Sequence, residues 1–528
     1  MKWDFFKGHL SEGSVMQDKK FSRRSFLKIM GGIGAAGLSL GAAGCASKPS
    51  GGDGWMPTQY NRAGNWPVQV KGRVPVDEHS VSLARDDSKC ILCGQCLEVC
   101  QKVMSVHGYY ELPIKDETIC INCGQCTMWC PTGSLFEKRD IDRVTDALAD
   151  ETLHVVVQTA PATKVALGEE FGMEPGSLVD GKQISALRAL GFDSVLDTCF
   201  MADLTIMEEA AELVKRVKSG ARPPMFTSCC PGWVKFCEYY YPDLIPMLSS
   251  CKSPMQMGSA MIKSYYAEKR GLDPKKIFSV AIMPCTAKKF EAVRPEFSET
   301  VGDMPDTDAV LTTRELALLL KMRGIDFDAL DENGTYDSLL GESTGAGNIF
   351  GATGGVMEAA IRTGYYYMTG SNPPEALLNW TPVRGLDGVK EAVASVPGVG
   401  NIRVAVCHGT RATRKILDEV RAGKVRWDFI EVMACPGGCV AGGGQPRTAL
   451  PPNDDIRTIR AQGLYHYDAK IAKKRLSHEN QEIKDMYSLY LGEPLGEKAH
   501  HLLHTHYEDR SSHLTPKKLD SALWGDRK

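Results

Sequence analysis

The chain has 528 residues, enough for about three domains that each bury their own core. Its net charge is −3 and its pI about 6.5, so no basic excess points to nucleic acid and no acidic block to a solvating tail. Cysteine is the unusual feature, at 18 residues; its metal-ligand spacings and the size of the chain speak against a disulfide-stapled framework.

At the N-terminus, Arg23 and Arg24 precede a weakly apolar, Gly/Ala-rich run from Ile29 to Gly44. Paired arginines before an apolar stretch too short to span a bilayer read as a twin-arginine export signal over residues 1–46. The alternative, a basic cap on a buried helix, conflicts with the glycine density. Such a route suits a protein that must fold around metal groups before export. Ala42, Ala43, Gly44 and Cys45 loosely resemble a lipobox, which would put a lipid on Cys45 and tether the chain to a membrane. Ordinary cleavage near Ala46 is the other outcome. Residues 47–80, rich in Gly and Pro, read as a linker or wrapping segment.

Residues 81–145 carry two cysteine quartets: Cys90, Cys93, Cys96 and Cys100, then Cys120, Cys123, Cys126 and Cys130. Each is C-x₂-C-x₂-C-x₃-C, the two-cluster ferredoxin pattern in which the fourth cysteine serves the other cluster. One [4Fe–4S] cluster is therefore expected on Cys90, Cys93, Cys96 and Cys130, and a second on Cys120, Cys123, Cys126 and Cys100, in an α+β domain. Gly94 and Gly124 would let the backbone wrap closely. Zinc also suits C-x₂-C pairs, but leaves the duplicated pattern unexplained.

From about Leu153 strands and helices alternate. Leu153–Gln158, Pro224–Ser228, Phe278–Pro284, Ile402–Val406 and Trp427–Met433 read as strands, and Asp203–Lys218 as an amphipathic helix. Residues 150–450 are expected to form an α/β block of two lobes around a buried metal cluster, since α/β sites form at strand ends. Three such ends carry Cys229 with Cys230, Cys285, and Cys435 with Cys439. Cys230, Cys285, Cys435 and Cys439 suffice for a four-iron cubane. Prolines 231, 284 and 436 turn the chain beside these ligands. Cys229 would point away from its neighbour in an extended segment; it reads either as a buried inert thiol or as a proton carrier. Glu209, Glu212 and Arg216 share a helix face, whose plain account is an exposed surface with a Glu212–Arg216 ion pair. Lys288 would ordinarily be a solvated charge. Met283 and Met433 either pack softly against a cluster or fill the core. The run Gly442, Gly443, Gly444 lacks the ending of a phosphate loop, so close approach of backbone to a bulky cluster is expected.

The three cysteine stretches, in order and internal spacing, resemble the signature motifs of iron-only (FeFe) hydrogenases, and the resemblance runs from about Ser88 to about Tyr507. It implies an enzyme that interconverts H₂ with protons and electrons at an H-cluster. That group would be a cubane on Cys230, Cys285, Cys435 and Cys439, with Cys439 bridging to a two-iron subsite bearing CO, cyanide and azadithiolate. Cys229 would relay protons, followed by Glu209, Ser249 and Glu212, with Arg216 at the outer mouth. Lys288 would stabilise a cyanide ligand, oriented by Glu291. Residues 347–355 match a motif that packs near the site. Met255 stands where many members carry the first of two glutamines, a change expected to affect hydrogen bonding or gas access.

Residues 451–528 resemble the small-subunit module of the same family, fused here and expected to wrap the block as helices. His500, His501, His504 and His506 invite a metal-site reading, against capping, packing or solvated surface. Cys199 has no assigned role; Cys237, Cys251 and Cys407 read as buried small hydrophobes. Export favours H₂ uptake, with a periplasmic multihaem cytochrome as acceptor and the twin-arginine translocase and hydrogenase maturation factors as assembly partners. A hydrogen-sensing homologue should lose the relay thiol or add a signalling domain. A cytoplasmic iron–sulfur assembly factor should lack Cys229, Lys288 and the export signal. A plain ferredoxin would account only for residues 88–135.

Overall fold

The computed structural model describes residues 72–107, 118–220, 224–424 and 426–514; the export signal, Cys45 and most of the linker lie outside the described residues. Strand β1 (Leu83–Arg85) pairs antiparallel with β2 (Leu135–Glu137), and the two quartets lie between them in sequence. Gly94 and Gly124 cap the short helical turns at Gln95–Glu98 and Gln125–Met128 with φ of +76° and +70°, the left-handed region that favours glycine. The end of the expected linker wraps this layer. Val74 is buried, and its amide donates to Cys96 Sγ at 3.3 Å.

Beyond His154 the strands form two four-stranded sheets. The first is β3 (His154–Thr159), β4 (Ser194–Asp197), β6 (Ile277–Met283) and β7 (Ala309–Thr312), ordered β4-β3-β6-β7 and wholly parallel. The second holds β5 (Met225–Phe226), β8 (Val389–Val396), β9 (Gly400–His408) and β10 (Phe429–Met433), ordered β5-β10-β9-β8. Here β8 is antiparallel to β9, a hairpin the sequence reading missed. The strand at Pro224–Ser228 shortens to two residues. Residues Val155–Thr159 of β3 and all of β10 are buried, as parallel sheets covered on both faces require.

Helix α1 (Thr198–Lys218) departs from the amphipathic expectation. It begins five residues earlier, where Asp197 accepts a hydrogen bond from the Cys199 amide, and it is buried all round from Thr198 to Ala210. The cause is crowding. Both α3 (Pro254–Met261) and α4 (Gly355–Thr369) pack on it, while α2 (Pro231–Tyr240) leaves the end of β5. The C-terminal segment contributes α5 (Asp454–His466), α6 (Gln481–Met486) and α7 (Glu497–Leu503). Ile483, Met486, Leu502 and Leu503 share one core with Phe200, Met201, Leu204 and Met207 of α1. Among the described residues no helix is long and apolar enough to cross a membrane.

Candidate metal centre and proton path

Four short connections bring the later cysteines together. Cys230 is the N-cap of α2, and Pro231 takes the first helical position, where a missing N–H is harmless. Cys285 follows β6, Cys435 follows β10, and Cys439 opens a 3₁₀ turn. With Cys229 they line a single cavity of ≈ 770 Å³, flanked by Met255, Met283, Met433 and Phe350. All five thiols are free.

Their surroundings describe what the cavity can hold. The adjacent Cys435 thiol lowers the Cys285 thiol below its ordinary value, and Cys285 with burial raises Cys435 well above its own. Burial, then the charge of Cys285, pushes Cys230 up to about 11, and burial likewise raises Cys439. Backbone amides point at the sulfurs: Ala434 N–H donates to Cys230 Sγ at 3.4 Å and Ala287 N–H to Cys285 Sγ at 3.3 Å. Thiols crowded together in a dry site resist ionising alone, and a soft cationic metal group relieves that. The four-sulfur set fits an iron–sulfur cluster.

Two smaller cavities sort the quartets. One of ≈ 340 Å³ is lined by Cys90, Cys93, Cys96 and Cys130; the other, of ≈ 440 Å³, by Cys100, Cys120, Cys123 and Cys126. This is the interleaved partition expected from spacing. The second lies beside the main cavity, since Cys285 helps to raise Cys123, and Cys123 helps to raise Cys435. The glycine run makes the seam. A Cβ on Gly443 would stand 2.3 Å from Cys123 O and 2.5 Å from Gly124 Cα, and one on Gly442 would stand 2.2 Å from Pro284 O. Gly442 also lines the main cavity, while Gly443 packs against the backbone of the Cys123 loop and Gly444 against the Thr312 side chain. Thr127 Oγ1 donates to Gly443 O at 3.0 Å and Gln125 Nε2 to Ala441 O at 2.8 Å across the same seam.

From Cys229 an acidic line runs outward. Burial, and then Glu209, raises the Cys229 thiol well above its ordinary value. Burial and the charge of Glu212 push Glu209 up to about 8, with Ser249 near enough to offset part of the shift. Neither Glu209 oxygen has a partner of hydrogen-bonding geometry. Ser249 Oγ donates to Glu212 Oε2 at 3.0 Å, and Arg216 donates to Glu212 Oε1 at 2.6 Å and to Leu248 O at 3.1 Å. Exposure rises outward, from 1 % for Glu209 to side-chain values of 11 % for Glu212 and 27 % for Arg216. The Glu212–Arg216 pair exists, but the exposed helix face expected around it does not.

Lys288 lines the main cavity and donates to Cys229 O at 3.2 Å and Glu291 Oε2 at 2.7 Å. Burial opposes its charge, yet Glu291, Cys229 and Cys285 outweigh it and raise the ammonium above its ordinary value. Met255 O accepts from Gln158 Nε2 at 3.0 Å. Cys199 lies apart, donating to Asn348 Oδ1 beside the buried Lys164–Asp197 pair. Phe350, from the 347–355 stretch expected near the site, lines the cavity too, whereas sequence reasoning missed Thr198 and Ala202, which carry no chemical signature.

Residues 153–443 match the family described as iron only hydrogenase large subunit, C-terminal domain, and residues 454–510 match iron hydrogenase small subunit. The chain belongs to the iron-only hydrogenase family. It is an oxidoreductase acting on H₂, with a small-subunit module in the same chain. The NADP-reducing hydrogenase subunit HndD of Solidesulfovibrio fructosivorans is 46% identical to this hydrogenase, over 82% of this chain and 75% of the relative. The periplasmic [Fe] hydrogenase large subunit of Nitratidesulfovibrio vulgaris is 48% identical, over 68% and 85%. Among solved structures, a variant of [FeFe]-hydrogenase HydA1 from Chlamydomonas reinhardtii superposes with a TM-score of 0.63 at 44% identity, covering 70% of this chain and 98% of that one.

Proposed function

We propose that this hydrogenase oxidises H₂ in the periplasm at an H-cluster held by Cys230, Cys285, Cys435 and Cys439. Electrons leave through two [4Fe–4S] clusters in a ferredoxin-type domain at residues 81–145. The observation that carries the reading is the convergence of five free thiols on one cavity of ≈ 770 Å³. When bound, the H-cluster supplies the heterolytic cleavage of H₂.

The chain supplies the rest. Lys288, kept charged and anchored to Glu291, places a fixed cation in the cavity to meet anionic ligands. The methionine side chains 255, 283 and 433 exclude water from it. Cys229 passes protons between the cavity and Glu209, which holds one near neutral pH because burial favours its neutral form. Ser249 connects to Glu212, and Arg216 holds that carboxylate at the rim. The seam at Gly443 brings the Cys123 loop against the catalytic block, which supports an electron route from the main cavity to a cluster at Cys123 and then to one at Cys90.

The periplasmic reading rests on Arg23 and Arg24 ahead of the apolar run and on a relative named as periplasmic. The twin-arginine translocase then carries the folded enzyme, maturation factors assemble its clusters, and a multihaem cytochrome takes the electrons. Lipidation of Cys45 would add a membrane tether. Infrared spectra of enzyme from its own host should show metal-bound CO and cyanide bands, alongside H₂ uptake with viologen. Absence of those bands from fully iron-loaded, active protein would remove the H-cluster assignment.

A further inference from the structure

Where the C-terminal module meets α1, three side chains of ligand type come together outside the cysteine cavities. The ligand atoms of Glu212, Cys251 and His504 all lie within 4.8 Å of one another, with Cys251 and His504 buried. A bridge between the backbones of Cys251 and His504 fixes two of them. His504 is also oriented from behind. Its Nε2 lies 3.0 Å from Glu208 Oε2, and buried Glu208 accepts hydrogen bonds from the Tyr487 hydroxyl and the Leu495 amide as well. Glu208 is therefore the acceptor for Nε2–H, which leaves Nδ1 as the ring nitrogen turned towards Cys251 and Glu212. That nitrogen faces Ser250 Oγ at 2.8 Å, which in turn lies 3.4 Å from Glu212 Oε2. A carboxylate gripping the far nitrogen is the support that metal-binding histidines carry.

We propose that Glu212, Cys251 and His504 form a binding site for a divalent cation of the zinc class, and that filling it closes the outer end of the proton path. The closure rests on the proton path proposed above; the site does not. One nitrogen, one sulfur and one oxygen suit zinc, whereas magnesium and calcium want oxygen alone. Ligand atoms around tetrahedral zinc stand roughly 3.3–3.6 Å apart, from bonds of about 2.0–2.3 Å, so the side chains must close by about 1 Å. A water molecule completes the four. On binding, Cys251 gives up its thiol proton to solvent, and its thiolate and the Glu212 carboxylate balance the two charges of the ion. Glu212 Oε2, the acceptor for Ser249, then serves the metal instead. Because His504 belongs to the module and Cys251 to the block, the site exists only when the two are docked.

The test uses holoenzyme stripped of loose metal with EDTA and then given one equivalent of Zn²⁺. Zinc-edge X-ray absorption should show one sulfur at about 2.3 Å with nitrogen and oxygen at about 2.0 Å. Viologen-linked H₂ oxidation should fall at least tenfold and return with EDTA. Cys251→Ser should replace the sulfur shell by oxygen, and His504→Gln should lose both the one-sulfur shell and the zinc sensitivity. An all-sulfur shell, an all-oxygen shell, or a one-sulfur shell indifferent to His504→Gln would each overturn the site. A one-sulfur shell with undiminished turnover would overturn the closure. The proton path itself is judged separately without zinc: full turnover in Glu209→Gln would refute that path whatever the zinc shell shows.

Discussion

Glu209 is the residue on which the acidic line depends, because it is buried with no hydrogen-bond partner and so keeps its proton up to about pH 8. Its folded pKa lies above the ordinary 4.5, so the folded state holds a proton that the unfolded chain has already released. That contribution to stability is complete below about pH 4.5 and declines as pH rises towards 8. Glu209→Gln keeps the shape and removes the titration. The difference in thermal midpoint between variant and parent should therefore widen in the variant's favour from pH 5 to pH 8, by the equivalent of a few kcal/mol. Parallel midpoints across that range would show that Glu209 is solvated. Cys229 makes a different prediction, since it is the one thiol in the cavity not needed as a ligand. Cys229→Ala should keep the CO and cyanide bands while turnover falls by ~10²–10⁴-fold, the usual worth of a positioned proton carrier. Retained bands with parental turnover would mean that protons leave by another way.

At the scale of elements, the proposed electron route crosses the seam between the Cys123 loop and the glycine run, so that seam should govern how fast electrons leave the catalytic block. Gly443→Ala would drive a methyl group into the backbone of Cys123 and Gly124, which cannot swing aside as a side chain could. Overpacking of this kind costs about 1–3 kcal/mol. The displaced loop should slow viologen-linked uptake, whereas H₂/D₂O exchange, which needs only the main cavity and proton path, should be nearly unchanged. Equal loss of both would place the damage at the main site instead. This seam also marks where the sequence stopped being informative. Cysteine intervals were legible because metal geometry fixes ligand spacing locally, whereas the interleaved partition of Cys100 and Cys130 was expected from the two-cluster ferredoxin pattern and not from the intervals alone. The partner of Gly443 was not legible: a glycine run declares close approach without naming what approaches. The burial of α1 was hidden for a related reason. Its acidic positions at Glu208, Glu209 and Glu212 look like a solvated face until α3, α4 and the module cover them. His504 gave no sign that it, rather than exposed His501 or His506, would turn inward.

For the molecule as a whole, the question is what keeps the C-terminal module on the block, given that the site at His504 needs it there. Apolar packing on α1 supplies area, but the fastening is ionic. Arg362 on α4, fully buried, donates to Glu358 at 2.7 Å and to Asp468 of the module at 2.9 Å, and Arg475 adds a second bond to Asp468 at 2.6 Å. At the far end Arg510 donates to Glu238 of α2, a carboxylate already held by Arg294. Burial works against the Asp468 charge, yet Arg475 and Arg362 outweigh it and hold the carboxyl below its ordinary value. Removing one member of such a buried set leaves the others charged without a counterpart, which costs about 3–5 kcal/mol. Asp468→Asn should therefore loosen the module before the rest unfolds. Limited proteolysis in mild denaturant should cut between residues 454 and 510 in the variant while the cluster absorbance of the block persists, and the parent should lose both together. If the variant instead melts in one step within about 0.5 kcal/mol of the parent, the ordinary range for a surface change, the module is held by its apolar face alone.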